Sequence, residues 1–259
     1  MGYGFTGSRA SNSSSFMQPS EQFALQTQRW ARLLAGLFLF GVAVVLMIRS
    51  GLGLGPWDAF HVGLHHLTGM TIGTTTIVVG LVIVVGTWFM GERPGPGTIA
   101  NMILIGVFVD LLLPIVPEAS GWLGLPYHLA GIGLTGIATG LYISPGLGKG
   151  PRDGLMLALA ERTGRSVQRV RTWIELAALA LGWAMGGKVG VGTVLFAFGI
   201  GPVTQWSLQW FGITTARRAR SRAPVARVDQ SPCASPAGAS MKRETGTPRR
   251  TASSASGES

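Results

Sequence analysis

The chain has 259 residues, of which 47% are hydrophobic and only 12% charged, with a mean hydropathy of +0.37. Soluble domains carry about 25% charged residues, so this deficit excludes an ordinary water-soluble globule and points to a lipid bilayer. The net charge of +10 belongs to tails and loops, since nine of the 21 Lys and Arg lie after Thr215, and it does not describe a nucleic-acid-binding face; the single cysteine, Cys233, rules out an intrachain disulfide and a thiolate metal site.

Residues 1–28 are rich in Ser, Gly and Gln without an apolar period and are expected to be a disordered cytoplasmic tail. The first apolar run is too late and too long for a secretory signal peptide. A helix needs about 20 apolar residues to span a bilayer. Trp30–Ile48 therefore reads as the first span, Thr71–Met90 as the second and Thr98–Leu113 as the third. Between the first two lie the glycine–proline stretch Gly51–Asp58 and a short segment, Trp57–Leu67. Residues 114–126 form a linker interrupted by Pro117 and Gly121. Then the pattern restarts. Tyr127–Ile143 is the fourth span, Gly146–Asp153 a second glycine–proline stretch, Gly154–Thr163 a second short helix, Thr172–Met185 the fifth span and Val191–Phe211 the sixth. The chain beyond Gly212, 213–259, is Arg-, Ser-, Ala- and Pro-rich and reads as a disordered basic cytoplasmic tail.

The restart is an internal repeat. A single ungapped offset of 95 aligns Leu34–Leu112 with Leu129–Ser207, matching Leu34-Ala35-Gly36 with Leu129-Ala130-Gly131, Trp88 with Trp183, and Gly97-Thr98 with Gly192-Thr193. The two membrane halves are 29–113 and 127–212. Orientation follows from Lys and Arg in short loops. Arg29 and Arg32 place the N-terminus inside, the 114–126 linker has no basic residue and lies outside, and the Lys149–Arg171 region, with six basic residues, lies inside. Each half then holds three spans, an odd number, so the halves are inverted relative to one another. Eight spans, with both short helices crossing, is the alternative; about 11 residues fall short of a hydrocarbon core of about 30 Å.

The repeated motif has its own chemistry. Gly53 and Gly55, and Gly148 and Gly150, permit irregular backbone and close approach. Pro56 and Pro151 suit a first helical turn. Asp58 and Asp153 sit just inside, where free N–H groups favour a carboxylate. Irregular backbone at membrane depth survives only when buried in protein or lining a watery cavity. Opposed broken helices near the midplane are how inverted-repeat transporters build a binding site. Each aspartate thus has two readings, a helix cap or a residue near a bound ligand. No nucleotide-binding loop, Ser–His–Asp set, paired catalytic carboxylates or zinc motif is present, so the sequence argues against an enzyme and implies no cofactor. Trp57 and Arg152, at equivalent positions, read as an outside aromatic and an inside cationic anchor.

Other polar residues carry weaker signals. His61 and His65, four apart with His66 beside them, lack a carboxylate or thiolate partner and read as a wet helix face rather than a metal site. His128 reads as an interface residue. Asp110, near the outer end of the third span, is a functional candidate as an intramembrane acid, with helix-end solvation as the other reading. Asn101 reads as packing glue, and Glu175 as a partner of Arg171.

The stretch "GLGLGPWDAFHVGLHHLTGMTIG" (Gly51–Gly73), with its second copy "GLGKGPRDGLMLALAERTG", resembles the YczE/YyaS/YitT-like bacterial integral membrane proteins, the YczE-like branch in particular. The resemblance covers Leu33 to Trp210 and implies a polytopic protein of the bacterial inner membrane; it brings no catalytic residues with it. The expectation is an all-α membrane protein of six spans and two short re-entrant or interfacial helices, in two inverted halves, with both termini cytoplasmic. Its function reads as a small-solute permease with the site between the halves, or else as a non-transporting component that binds or regulates another membrane protein. A polar cavity lined by Asp58 and Asp153 favours the first; a packed centre with both aspartates bound to backbone N–H groups favours the second.

Overall fold

The structure, a computed structural model, describes residues 19–212 with the exception of Ser120. Among these residues the chain forms helices and no strand: α1 (Pro19–Ser50), α2 (Pro56–Thr68), α3 (Ile72–Phe89), α4 (Pro96–Leu112), a 3-10 turn at Gly121–Leu123, α5 (Gly124–Ile143), α6 (Pro151–Thr163), α7 (Val167–Ala184) and α8 (Val191–Trp210).

Local chemistry sets the helix ends. Pro56, Pro96 and Pro151 open α2, α4 and α6 directly after a glycine, where proline's fixed φ fits and its missing N–H is no loss. Thr71 and Ser166 cap α3 and α7 by accepting hydrogen bonds from the N–H groups of Thr74 and Arg169. α2 and α6 stop on Gly69 and Gly164 in the left-handed conformation. Two expected boundaries move. Residues 19–28, assigned to a disordered tail, instead extend α1 as an exposed helix; Pro19 opens it and Glu21 lies in its first turn, both favourable there. The rest of that tail and residues 213–259 lie outside the described residues. The linker ends early because α5 takes up Gly124–Pro126. Its start is pinned by Arg49, which donates to the Leu113 carbonyl at 2.5 Å and to Glu118 at 2.7 Å.

α1 and α5 form the central pair. Close approach is set by glycines facing larger residues, Gly36 against Tyr142 and Gly131 against Met47. α1 also packs on α4, with Gly41 against Phe108, and α5 on α8, with Gly136 against Val203. The short helices lie against the long ones, α2 on α3 and α7, and α6 on α3, α7 and α4. Leu33, Leu37, Val45, Met47 and Val109 are among the most buried core side chains. In lipid such contacts hold helices together by van der Waals packing rather than by expulsion of water.

The geometry recurs at a spacing of 95. Helix starts at Pro56, Ile72 and Pro96 recur at Pro151, Val167 and Val191. Left-handed glycines at Gly51, Gly53, Gly69 and Gly91 recur at Gly146, Gly148, Gly164 and Gly186. The Gly36–Tyr142 and Gly41–Phe108 contacts recur as Gly131–Met47 and Gly136–Val203.

Among the described residues three helices are long and apolar enough to cross a membrane, Ser20–Ser50, Ile72–Phe89 and Val191–Trp210; Pro96–Leu112 is a shorter apolar helix. The outer faces are apolar too. Val82, Trp88 and Phe89 on α3 and Val191 and Phe198 on α8 are largely exposed, a surface suited to lipid and a liability in water.

Candidate functional site

The glycine–proline loops dock crosswise. Gly192 at the start of α8 donates to the Leu52 carbonyl at 2.8 Å, and Leu54 donates to the Lys188 carbonyl at 3.0 Å. In the other copy, Gly97 at the start of α4 donates to the Leu147 carbonyl at 3.0 Å. The approach needs glycine: a Cβ on Gly53 (φ 118°) would lie 2.5 Å from the Gly190 nitrogen, and one on Gly148 (φ 154°) 2.8 Å from that of Thr98. His128 braces this clasp. Expected at an interface, it is fully buried, its Nε2 donating to the Gly192 carbonyl at 2.8 Å and its Nδ1 lying 3.1 Å from Ser50 Oγ. The irregular backbone at the motifs thus meets other backbone instead of lipid.

The first turns of α2 and α6 both face a central cavity of about 400 Å³. Gly55, Pro56, Trp57 and Asp58 line it from one motif, Gly150, Pro151, Arg152 and Asp153 from the other. Apolar walls come from Phe40, Met47, Met102, Ile105, Phe196 and Ile200. Between them sits a polar cluster. The Arg152 guanidinium lies over the Trp57 ring, 4.9 Å from its centroid, and donates from Nη2 to His61 Nε2 at 2.8 Å. His61 therefore carries its proton on Nδ1, and this N–H, like the Trp57 indole Nε1–H, is buried without a partner among the described residues. Asp58 is 8% exposed and makes no hydrogen bond or ion pair among the described residues. Asp153 accepts a hydrogen bond from Tyr142 Oη at 3.3 Å. Arg171 and Glu175, also on the cavity wall, pair at 2.8 Å. Arg152 forms no ion pair among the described residues, although Asp58, Asp153 and Glu175 line the same cavity. Charge at this depth is costly unless it serves a bound partner.

Residues 27–209 match the model of a family of unknown function, DUF6198. The chain belongs to that family. This DUF6198 protein is 41% identical over 197 residues to "Uncharacterized membrane protein YczE" of Bacillus subtilis (strain 168), covering 73% of this chain and 92% of that one. It is 36% identical over 177 residues to an "Uncharacterized protein" of Haemophilus influenzae (strain ATCC 51907 / DSM 11121 / KW20 / Rd), covering 68% and 81%. "Uncharacterized protein YyaS" of Bacillus subtilis (strain 168) is 27% identical over 165 residues, covering 62% and 82%. No solved structure matches the chain. The family and the apolar helices make this DUF6198 chain a membrane protein, as its resemblance to YczE-like proteins implies.

Of the residues singled out in the sequence, Asp58, Asp153, Gly55, Pro56, Gly150 and Pro151 meet at the cavity. Gly53 and Gly148 do not line it; they belong to the clasp. Asp110 stands apart. Its carboxylate accepts from Thr71 Oγ1 at 2.5 Å and from the Gly73 N–H at 2.7 Å, tying the end of α4 to the start of α3. Neither motif aspartate is a helix cap, since α2 and α6 have no side-chain cap at all. Trp57 and Arg152 are not anchors at opposite faces. The Arg152 guanidinium instead stacks on the Trp57 ring, since the first turns of α2 and α6 meet at the cavity. His61 is 2% exposed and faces the cavity, whereas His66 is exposed. Asn101 lines the cavity beside Gly150, rather than acting as packing glue alone. Arg152, His61, Trp57 and Tyr142 are the site residues that sequence reasoning missed. The signal that points to Trp57 and Arg152 is the offset of 95, which pairs residues 57 and 152, and these two side chains meet at the cavity.

Proposed function

We propose that this DUF6198 protein is a small-solute permease of the bacterial cytoplasmic membrane, built from two inverted three-span halves with both termini in the cytoplasm. α1, α3 and α4 are the spans of the first half, and α5, α7 and α8 those of the second. α2 and α6 are re-entrant half-helices whose first turns meet at the site. The recurrence of helix starts, left-handed glycines and contacts at one spacing supports a duplicated architecture. An odd number of spans per half and the placement of basic loops support inversion.

One observation carries the functional reading. Asp58 and Asp153 line a common cavity with spare hydrogen-bonding capacity, instead of being bound to backbone N–H groups. A second feature agrees with alternating access. α3 and α4 pack tightly, whereas α7 and α8 hardly touch. Arg171, Glu175, Thr204 and Leu208 line the cavity there, so it opens on the α7–α8 side.

The test is uptake of a panel of labelled small solutes by proteoliposomes containing the full chain. At least one solute should accumulate, and the double variant Asp58→Asn/Asp153→Asn should lower its uptake at least about tenfold, the effect of ~1.4 kcal/mol at the site. No accumulation of any solute turns the reading toward a non-transporting membrane component, and accumulation unaffected by the double variant removes the two aspartates from the transport site.

A further inference from the structure

We infer that the central cavity takes a small zwitterion with an apolar side chain, of the α-amino-acid type: its carboxylate goes to Arg152 and its ammonium to Asp58. The inference rests on the reading of the cavity as a binding site and names the class of solute bound there.

Opposite charges remain unmatched in one small space. Arg152 makes one hydrogen bond, to His61, and its guanidinium has four further N–H donors. The partnerless N–H groups of Trp57 and His61 lie beside it and add to the donor character of that side. Asp58 is more than nine-tenths buried and accepts no hydrogen bond among the described residues. Both line the same cavity, and they form no ion pair within 4 Å among the described residues. A ligand with both signs satisfies each at once. A purely anionic ligand leaves Asp58 buried and unmatched, and a purely cationic one leaves Arg152 so, the costly outcome in either case. A zwitterion also adds no net charge to an intramembrane site. Several other polar wall groups have partners, whereas Asn101, Lys149 and Thr204 line the cavity without a side-chain hydrogen bond or ion pair among the described residues. Glu175 pairs with Arg171, Asp153 accepts from Tyr142, and Thr135 and Thr139 donate to backbone carbonyls of α5. The remaining wall, including Met47, Ile105, Phe196 and Ile200, provides the apolar space for a side chain.

The test compares three ligands of one shape on the purified full chain in nanodiscs, with binding read by calorimetry. These are L-leucine, 3-methylbutylamine (leucine without its carboxylate) and 4-methylpentanoate (leucine without its amine). L-leucine should bind at least about tenfold more tightly than either single-charge relative, because each of those leaves one buried charge unmatched. In Arg152→Gln the gap between L-leucine and the amine should close. In Asp58→Asn the gap between L-leucine and the acid should close. Equal binding of the amine to the intact protein makes this an organic-cation site, and equal binding of the acid an organic-anion site; both overturn the inference. So does an absence of binding by L-leucine. If proteoliposomes then still accumulate another solute, the permease reading stands and only the zwitterion is lost. The intact protein decides between these outcomes even if a variant fails to fold.

Discussion

Gly73 and Gly106 bring α3 and α4 together backbone to backbone, while Gln168 and Gly201, at the equivalent positions 95 residues on, leave α7 and α8 apart. In the first half a Cβ on Gly106 would come 2.5 Å from the Gly73 carbonyl oxygen, and Asp110 bridges the same crossing to Thr71 and Gly73. In the second half nothing lies within 4 Å of a Cβ on Gly201, and Gln168 and Gln205 are exposed. A third exchange follows the same line. Gly80 packs on Met102, but its counterpart Glu175 faces the cavity and pairs with Arg171. The two helix pairs thus differ in contact, and the residues that differ at the equivalent positions are Gly73 against Gln168, Gly80 against Glu175 and Asp110 against Gln205. On the proposed reading, these three differences let the cavity open between α7 and α8.

The sharpest way to break this comparison is at the crossing itself. Gly106→Leu should cost about 3 kcal/mol or more, since overpacking a tight contact typically costs 1–3 kcal/mol and backbone cannot yield as a side chain can. Gly201→Leu should stay within about 0.5 kcal/mol, as a change on an open face. Thermal unfolding of both variants in detergent, followed by size-exclusion survival, measures the difference; equal losses would remove the proposed cause of the asymmetry. The clasp should behave in the opposite way, alike in both halves. Gly53→Ala and Gly148→Ala should each lose about 1–2 kcal/mol from left-handed strain. Gly133→Ala, in α5 with open space around it, should be neutral or gain about 0.5 kcal/mol. A tolerant Gly148 beside an intolerant Gly53 would mean that the two clasps are not equivalent. The smallest effect is expected at Glu175→Gln, about 0.3–0.5 kcal/mol for a partly exposed pair spaced four residues apart. A loss of several kcal/mol there would show the pair holding the second half together, contrary to its place beside an opening.

Much of the fold was legible because its punctuation is local. Glycine followed by proline marks the starts of α2 and α6, and apolar runs mark the long helices. The single offset of 95 linked the two motifs before any contact was known, which is why Asp58 and Asp153 were already singled out. What escaped was contact between residues far apart in the chain. The Arg152–Trp57–His61 cluster joins two motifs, and each residue taken alone has a blander reading as an anchor or a wet helix face. Asp110 looked like a site residue because it is an acid in an apolar helix; its partners, the Thr71 hydroxyl and the Gly73 N–H, lie on another helix and leave no trace in spacing. The early start of α1 rests on exposed residues of good helix propensity, among them Glu21, Ala24, Leu25, Gln26 and Gln28, but no apolar period signals a helix there.

The crosswise clasp also sets an order of events during synthesis. The Leu52 carbonyl and the Leu54 N–H leave the ribosome early, and their partners Gly192 and Lys188 emerge only at the start of α8. Chains are made at about 5–20 residues per second, so the first loop waits for seconds with unmet backbone groups. The second loop has no such delay, because Gly97 is already in place when Leu147 arrives. The first clasp therefore closes only once the start of α8 has been made, which couples the first glycine–proline motif to a segment synthesised about 130 to 140 residues later.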